Sequence, residues 1–567
     1  MKKPTLKAPK LKAPKLKAPD LSGVAGGSRT GQSLLAGVAV LGLVFGVAEL
    51  RSPATTAADT GGGRTTAQVE RTALVCPPPM QGVTGSTSLT LFSPEGGTGS
   101  AGTGLIANAS AANVIAAQNP VQSAADPAAS AAPSGAAPSG QPSGTPSGQP
   151  SDAPAAAGQS AAPVVDALIS LAKPGVPVTG PANNSDTAPG TFAAATGNLA
   201  PGFTATQVTA SESGGTSLSG ADCVPSGTSF WFAGASTGPN RVDYVTLVNA
   251  DTLPAVVDLK MYGEKGLIDN ELATGIAVAP GQSQTLLLSS LTKGPVDDLA
   301  LHVVTRSGRI GAGVHAIDTG KGTDWLEPSA DPAPSVTVPG IPDDVTTAHL
   351  VVATDSADDA DLKVQLSGKN GWFTPAGKES IHVKAGMTAV LDFQFSAETR
   401  EGASAIRLTP TSPDHPTPVV AGLRVDRENK GKTEATWLSG GNPVGARASV
   451  ADNRAGQTKL MLTAVDADAK VKVTSSAGAN GGTPGSKDVD VPVGTTVTVE
   501  GIDPAGANGP YALTVQTVSG GPVLAARQLS AVTKDVPTFT TQQFRDDHAT
   551  VEVPRVAADP GVVLGTK

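Results

Sequence analysis

The chain has 567 residues, enough for three or four domains, and is mildly acidic, with 40 Lys and Arg residues against 49 Asp and Glu residues. This charge balance argues against nucleic acid as a partner. The 67 glycines, 47 prolines and 3% aromatic residues indicate many turns and few aromatic surfaces, and no long amphipathic helical period follows the first 50 residues, which excludes a helical bundle.

The first element is a basic tail, residues 1–30, built on repeats of the phrase LKAPK. A proline in each repeat excludes a packed helix. Residues 1–29 hold eight basic side chains and one acidic side chain, whereas the rest of the chain holds 32 basic and 48 acidic ones. We predict a disordered cytoplasmic tail. Contact with anionic lipid headgroups and plain solvation are both compatible with it.

The second element is an apolar segment, residues 31–50, with the uninterrupted run LLAGVAVLGLVFGVA at 34–48. As a helix the run spans roughly 22 Å, short of a ~30 Å hydrocarbon core unless its polar flanks extend it. The basic residues before it hold the N-terminus in the cytoplasm and predict export of the rest. Two interpretations stay open: an uncleaved single-pass membrane anchor, or a signal peptide cleaved near 52–54, which would give a secreted protein. The long charged leader favours the anchor.

Residues 64–228 are predicted to form an irregular β-domain. Its two cysteines, Cys76 and Cys223, are the only ones in the chain, and in an oxidising compartment they predict a structural disulfide. Between them lies a Pro-, Ser-, Gly- and Ala-rich stretch, 116–162, which cannot bury a core and is predicted to be a disordered insertion. O-glycosylation and tolerated low-complexity expansion are both compatible with its composition.

Short β-runs separated by turn residues dominate from Phe230 onward, and three families of motifs recur at offsets of about 105 residues. The motifs are AVVDLKMYG (255–263), ADLKVQLSG (360–368) and AKVKVT (469–474); IAVAPG (276–281), IHVKAG (381–386) and VDVPVG (489–494); and ALHV (300–303), AIRL (405–408) and ALTV (512–515). We therefore predict three repeats, at 229–340, 341–445 and 446–556 with a C-terminal tail.

A repeat of about 105 residues with roughly seven short strands has the size of an immunoglobulin-like or fibronectin-like β-sandwich. A propeller blade would be less than half as long. The predicted fold is therefore all-β: tandem immunoglobulin/fibronectin-like β-sandwich repeats after one N-terminal membrane segment.

Six short motifs resemble a known family. They are ALVCPP (73–78), LAPGFTA (199–205), CVP (223–225), FWFAG (230–234), DWL (324–326) and VPGIP (338–342). In this order they resemble domain of unknown function 5719, an uncharacterised actinobacterial family of membrane-anchored or secreted proteins. The resemblance covers roughly 64–556, without the leader and the insertion. It implies an actinobacterial envelope location and brings no established activity, substrate or cofactor.

No catalytic, cofactor-binding or metal site is predicted. GASTG at 234–238 matches a hydrolase nucleophile motif, but a β-run follows it where that motif needs a helix, so a hairpin loop is expected. The acidic run 355–361 lacks the ligand spacing of a calcium loop, which predicts a solvated turn. The six histidines are scattered without metal-ligand spacing. Of these, His302 and His382 alternate with apolar strand residues and are expected to face solvent.

Candidate partner contacts are Trp231, Trp372 and Phe373, which belong to the two clusters of adjacent aromatic rings. A tight turn at Asn370-Gly371 precedes Trp372 and Phe373. Successive strand residues point to opposite faces, so one of these two rings is expected to be exposed. Burial within the sandwich is the alternative for both clusters.

Three classes of function remain. We favour a non-catalytic, membrane-anchored extracytoplasmic protein of the cell envelope that binds or positions a partner, either an envelope protein or a cell-wall glycan. The alternatives are an accessory subunit of envelope polysaccharide assembly and an unrecognised envelope enzyme. No cofactor and no nucleic-acid partner is expected.

Overall fold

The computed structural model of the protein describes residues 64–79, 84–111, 166–185, 187–212, 216–396, 403–429, 431–533 and 536–554. These residues form 35 β-strands and four short 3-10 helices, without any α-helix, so the all-β prediction is confirmed. None of the described helices has the length and apolarity needed to cross a bilayer. The predicted tail, membrane segment and insertion lie outside the described residues.

The chain divides into two compact units: Thr66–Glu552, named the body, and a second unit made of Met1–Thr65 with Val553–Lys567. Four β-sandwiches, S1 to S4, follow one another along the body, and all share one strand order. In each, the first, sixth, third and fourth strands form one antiparallel sheet, and the fifth, second, seventh and eighth strands form the other. S2 has one additional short strand after its third.

S1 consists of eight strands and S2 of nine. S1 contains β2 (Arg71–Cys76), β3 (Gly85–Phe92), β4 (Gly104–Asn108), β5 (Ile169–Leu171), β6 (Val178–Pro181), β7 (Thr191–Thr196), β8 (Thr204–Ser211) and β9 (Ser217–Asp222). S2 contains β10 (Ser229–Ala235), β11 (Arg241–Val248), β12 (Ala255–Gly263), β13 (Gly266–Ile268), β14 (Ile276–Val278), β15 (Ser283–Leu287), β16 (Leu299–Ser307), β17 (Gly311–Asp318) and β18 (Gly322–Leu326).

The other two sandwiches follow the same scheme. S3 contains β19 (Val336–Pro339), β20 (Val345–Ala353), β21 (Ala360–Leu366), β22 (Ser380–Val383), β23 (Thr388–Gln394), β24 (Ala405–Pro410), β25 (Val420–Asn429) and β26 (Lys432–Ser439). S4 contains β27 (Arg447–Asn453), β28 (Thr458–Ala464), β29 (Ala469–Ser475), β30 (Gly485–Val491), β31 (Thr496–Val499), β32 (Tyr511–Gly520), β33 (Val523–Thr533) and β34 (Val536–Gln543).

The remaining elements are short. Strands β1 (Arg64–Gln68) and β35 (Thr550–Pro554) pair with each other. The 3-10 helices are η1 (Ala109–Ala111), η2 (Gly197–Leu199), η3 (Glu271–Ala273) and η4 (Leu288–Leu291).

The recurrent sequence motifs occupy equivalent strands. The AVVDLKMYG family forms the third strands β12, β21 and β29, and the ALHV family forms the sixth strands β16, β24 and β32. Strands β21 and β29 bury every second residue in the same pattern, as expected for a strand with one face on a core. Each sandwich has its own apolar core.

S1, within the segment predicted to be irregular, has the same strand order as the others. Its first strand begins 158 residues before that of S2, whereas the next two spacings are 107 and 111 residues. The excess falls between β4 and β5, which nonetheless pair directly, with Ile106 opposite Ile169. The predicted domain boundaries themselves stay predictions.

Candidate functional site

The four sandwiches contact one another in a closed cycle, from S1 through S2 and S3 to S4 and back to S1. Their eighth strands, β9, β18, β26 and β34, contact one another in the same cycle and are named the inner strands. Each inner strand is an edge of its own sheet, yet most of its residues are buried. The centre of the body is therefore made of four strand edges, whose backbone groups need partners.

Acidic and hydroxyl side chains of neighbouring inner strands supply many of these partners. Oδ1 of Asp324 accepts a hydrogen bond from the backbone N–H of Gly220 at 3.1 Å, and Oε1 of Glu327 accepts one from Asp222 at 3.2 Å. Oε1 of Glu434 accepts from the backbone N–H of Phe539 at 3.0 Å. These bonds join S1 to S2 and S3 to S4 and satisfy donors that would otherwise be buried without a partner.

Asp324 lies at the centre of this network. Besides Gly220, its carboxyl group accepts hydrogen bonds from its neighbour Trp325 N at 2.8 Å, from Thr436 Oγ1 at 2.5 Å and from Thr540 Oγ1 at 3.2 Å. One side chain thus contacts all four sandwiches. Burial raises the pKa of Asp324 to about 8, even though these four donors favour the ionised form.

Glu434 of β26 and Glu327, the residue after β18, also have raised pKa values. Burial raises the pKa of Glu434 to about 8, against the backbone donor from Phe539 and the charge of Arg427. Burial also raises the pKa of Glu327 to about 7, although the nearby Arg545 lowers it. The centre consequently carries less negative charge near neutral pH than its composition suggests.

A buried cation completes the centre. Arg527 of β33 is fully buried, and its guanidinium donates to the backbone oxygen of Asp452 at 2.6 Å and, through Nε, to Oε1 of Gln542 at 2.9 Å. A buried charge of this kind is tolerated only when hydrogen bonds satisfy it. Arg527 and the carboxyl groups therefore act as structural groups that hold the inner strands together.

One end of the inner strands opens into a cavity of about 380 Å³, named the hairpin mouth. It is lined by residues from all four hairpins that lead into the inner strands, among them Thr216, Lys321, Lys432 and Val536. All four inner strands begin at this mouth and run away from it. Its volume is within the range of ligand-binding pockets.

Four ionisable side chains line the hairpin mouth: Lys321, Arg427, Lys432 and Glu434. Nζ of Lys321 lies 2.8 Å from Asp426 Oδ2, and the Lys321 side chain is 32% exposed. Lys432 is exposed and has no ion pair among the residues that the structure describes. The mouth therefore has a basic rim.

Arg427 is held more rigidly than the two lysines. Its Nη2 lies 2.6 Å from Asp344 Oδ2, and its guanidinium carbon lies 4.2 Å from the centre of the Phe539 ring. A guanidinium stacked on a ring and paired with a carboxylate is fixed in orientation.

The opposite end of the inner strands adjoins the two ends of the body. The backbone N–H of Val69 donates to the backbone oxygen of Ala549 at 3.0 Å. Val69 also lines a second cavity, of about 290 Å³, together with Asp222 and Cys223 at the end of β9. Both ends of the body thus meet at the end of the inner strands away from the hairpin mouth.

The predicted disulfide is confirmed. Cys76 and Cys223 are bonded, with their Cα atoms 4.3 Å apart and a sequence separation of 147. The bond joins the end of β2 to the residue after β9, which belong to different sheets of S1. Next to it, Val75 and Val224 form backbone hydrogen bonds in both directions.

The three candidate contact residues lie at contacts between or within sandwiches. Trp231 is only 2% exposed and stacks on His302 at 4.0 Å and on Tyr262 at 5.6 Å. Nε1 of Trp372 donates to the backbone oxygen of Val465 in S4 at 3.0 Å. Phe373 is 39% exposed, so one ring of the adjacent pair does face outward. A partner for it stays a prediction.

The two histidine predictions had different outcomes. His302 was expected to face solvent, and this is wrong: it is 9% exposed, its ring stacks on Trp231, and burial lowers its pKa to about 4. The stacking on a neighbouring strand could not be seen in the alternating pattern. His382 is exposed, as predicted, and its Nδ1 lies 2.8 Å from Asp361 Oδ1.

The remaining motifs have structural surroundings. Ser236 of GASTG is buried in the turn between β10 and β11, and its backbone N–H donates to Asp243 Oδ2 at 2.9 Å. Asp355, Asp358 and Asp359 are exposed, as expected for a solvated turn. Among the described residues, no group of three or more His, Cys, Asp or Glu side chains is placed to hold a metal ion.

Sequence reasoning missed the inner-strand network and the hairpin mouth. The hydrogen-bonded residues of this network lie about 105 positions apart, which is also the spacing of the repeats. Polar residues that recur at this spacing, at equivalent positions of the eighth strands, are the sequence signal that could reveal the network.

A family model matches residues 178–501, more than half of the chain, and is described as a family of unknown function, DUF5719. The matched segment begins in β6 of S1 and ends after β31 of S4, and so contains parts of all four sandwiches. The chain belongs to this family. No curated protein matches the chain.

Proposed function

We propose that the protein is a non-catalytic, extracytoplasmic protein of the actinobacterial cell envelope, anchored by residues 31–50, which binds or positions a protein or glycan partner at its hairpin mouth. The observation that carries the proposal is the placement of the mouth. It lies at the end of the inner strands away from Val69 and Ala549, where both ends of the body meet. The two ends of the body therefore leave the mouth uncovered, and a partner can reach it.

The disulfide supports export. A bond between the only two cysteines of a chain is expected in an oxidising compartment. The basic residues before the apolar run at 34–48 support the same orientation.

The finer fold assignment, an immunoglobulin-like or fibronectin-like sandwich, is part of the proposal. Two layers and about eight strands per repeat support it. In a constant-type immunoglobulin domain, however, the first strand shares a sheet with the second and the seventh with the sixth. Here the first strand pairs with the sixth and the seventh with the second, so any likeness concerns the two-layer architecture rather than the strand order.

Two measurements test the function. An alkaline phosphatase fused to the C-terminus should be active and a cytoplasmic reporter inactive. A photocrosslinking residue placed at Thr433 in the mouth should capture an envelope partner in cells, whereas one at Val551, exposed at the other end of the body, should not. The reverse reporter pattern, or equal capture from both positions, would refute the proposal.

A further inference from the structure

The chemistry of the hairpin mouth narrows the class of partner. Three of its four ionisable side chains are basic, and they come from two neighbouring sandwiches: Lys321 from S2, and Arg427 and Lys432 from S3. Opposite charges balance two of them, Asp426 beside Lys321 and Asp344 beside Arg427. The exposed Lys432 forms no ion pair with a described residue.

The basic groups also keep unused hydrogen-bond donors. An ammonium group has three donors, and Lys321 uses one on Asp426. A guanidinium has five donors, and the edge of Arg427 that is not turned to Asp344 can take up an oxygen of a ligand. Because Phe539 fixes the plane of Arg427, little side-chain entropy is lost when a ligand binds.

Glu434, the acidic residue that lines the hairpin mouth, adds little negative charge. Glu434 is bonded to the backbone of S4 through Phe539, and burial raises its pKa to about 8. An incoming anion would therefore meet three basic side chains and a largely neutral carboxyl group.

The other lining residues favour a small polar ligand group over a flat protein surface. Gly320, Gly322 and Gly431 have no side chains to cover the backbone, and Thr216 and Thr433 contribute hydroxyl groups. These groups surround a recess of about 380 Å³ between hairpins. A recess of this kind suits a sugar unit, which offers several hydroxyl groups and, if acidic, one charged group.

We infer that the hairpin mouth binds an anionic glycan through its carboxylate or phosphate group, with Lys432, Lys321 and Arg427 as the ligands of the anion. The inference rests on the proposed function, because it names the chemistry of the partner at the same mouth. Carboxylate and phosphate are both recognised by these donors. A polyuronate and a polyphosphate probe distinguish these two sources of charge.

Binding is measured by isothermal titration calorimetry of the full chain in detergent. The probes are trigalacturonate, sodium tripolyphosphate, the neutral sugar maltotriose and a tetraglutamate peptide. At least one of the two anionic probes trigalacturonate and tripolyphosphate should bind, more weakly as salt is added, and maltotriose should not. Trigalacturonate alone would identify a uronic acid polymer, and tripolyphosphate alone a phosphate-bearing one.

The variant Lys432→Glu should weaken anion binding about tenfold or more, because it reverses a charge at the rim. The matched control is Lys363→Glu, on the exposed face of β21, which should change the affinity less than about twofold. Thermal unfolding of both variants checks that they fold as the parent does.

Three results would overturn the inference: no binding of either anionic probe, equal weakening by both variants, or tighter binding of tetraglutamate than of the two anions. None of these depends on the crosslinking at Thr433. Loss of anion binding with retained capture would refute the glycan inference alone, and anion binding without capture would refute the proposed function.

Discussion

Asp324 of β18 and Thr540 of β34 join two sandwiches that are not neighbours in the cycle. Thr540 Oγ1 donates to Asp324 Oδ1 at 3.2 Å, across 216 residues of sequence, and links S4 to S2. Asp324 also accepts from S1 and S3. The four sandwiches therefore share a polar centre, in contrast to a linear array of domains that touch only their neighbours in sequence.

The first prediction is that stability decreases with rising pH because of Asp324. Its pKa is raised from 3.8 to about 8 in the folded protein. Because the pKa is higher in the folded than in the unfolded protein, protonated Asp324 contributes to the free energy of unfolding. This contribution is fully present below about pH 4 and is lost as the pH rises through about 8. Asp324→Asn cannot ionise, so its unfolding free energy should fall less steeply between pH 5 and 8.

Urea unfolding at several pH values measures this slope. The absolute stability of Asp324→Asn should be close to that of the parent at pH 5, because the parental carboxyl group is protonated there and the Thr436 hydroxyl can accept a hydrogen bond from an amide N–H₂ group. Asp355→Asn, at an exposed carboxyl group, is the control and should keep the parental slope. Equal slopes for Asp324→Asn and the parent would contradict the prediction.

The second prediction concerns the disulfide. Replacing both Cys76 and Cys223 with Ala should lower the free energy of unfolding by about 5 kcal/mol, the chain-entropy value for a closed loop of this length. Dithiothreitol should destabilise the parent similarly and leave the double variant unchanged. Peptide mapping without reduction provides the direct check, and two alkylatable thiols in the unreduced protein would contradict the bond.

The repeats from 229 onward could be predicted from the sequence because the third and sixth strands each pack one face against a core. This packing requires apolar residues to alternate with polar ones along the strand, and the same pattern recurs about every 105 residues. AVVDLKMYG and ADLKVQLSG are similar for this reason, and they form the equivalent strands β12 and β21. S1 could not be identified as a fourth repeat because the additional residues between β4 and β5 interrupt the spacing of about 105 residues. Its short strands β5 and β6 also carry little pattern of their own.

The candidate site could not be predicted in the same way. The inner strands are buried on both faces, so apolar and polar residues do not alternate simply along them. Buried carboxyl groups such as Asp324 look like solvated surface residues in a sequence. Only the closure of the cycle, which depends on contacts between distant segments, gives them their partners.

The third prediction separates Trp372 from Phe373. The sequence predicts that one of these two rings is exposed but does not tell which. The structure gives Trp372 a hydrogen bond to Val465 and places the guanidinium of Arg407 5.6 Å from its ring. Trp372→Phe, which removes the indole N–H, should therefore cost about 1 kcal/mol, and Trp372→Ala more. Thermal unfolding should show that Phe373→Ala costs less than either.

Phe373 remains the candidate contact residue of this hairpin. Phe373→Ala should weaken capture of any partner that binds along the S3 surface, at a smaller loss of stability than either Trp372 variant. Larger destabilisation by Phe373→Ala than by Trp372→Ala would reverse these assignments.

The last prediction concerns the glycine that ends the IAVAPG, IHVKAG and VDVPVG motifs. Gly386 and Gly494 both have left-handed backbone angles, with φ of 67° and 72°. A Cβ atom at Gly386 would meet no atom within 4 Å, whereas one at Gly494 would lie 2.5 Å from the backbone nitrogen of Trp372 in the preceding sandwich. The two positions thus share the conformational cost of a non-glycine residue and differ in the contact between sandwiches.

Gly386→Ala should lower the free energy of unfolding by about 1–2 kcal/mol, the cost of a left-handed conformation for an L-residue. Gly494→Ala should cost clearly more, because the new methyl group must push Trp372 and the S3 hairpin away from S4. Urea unfolding gives both values, and hydrogen exchange at the Leu366 and Phe373 amides, which pair across the hairpin, should increase only in Gly494→Ala. Equal costs for the two substitutions would mean that the glycine serves only the turn and that the hairpin of S3 yields freely against S4.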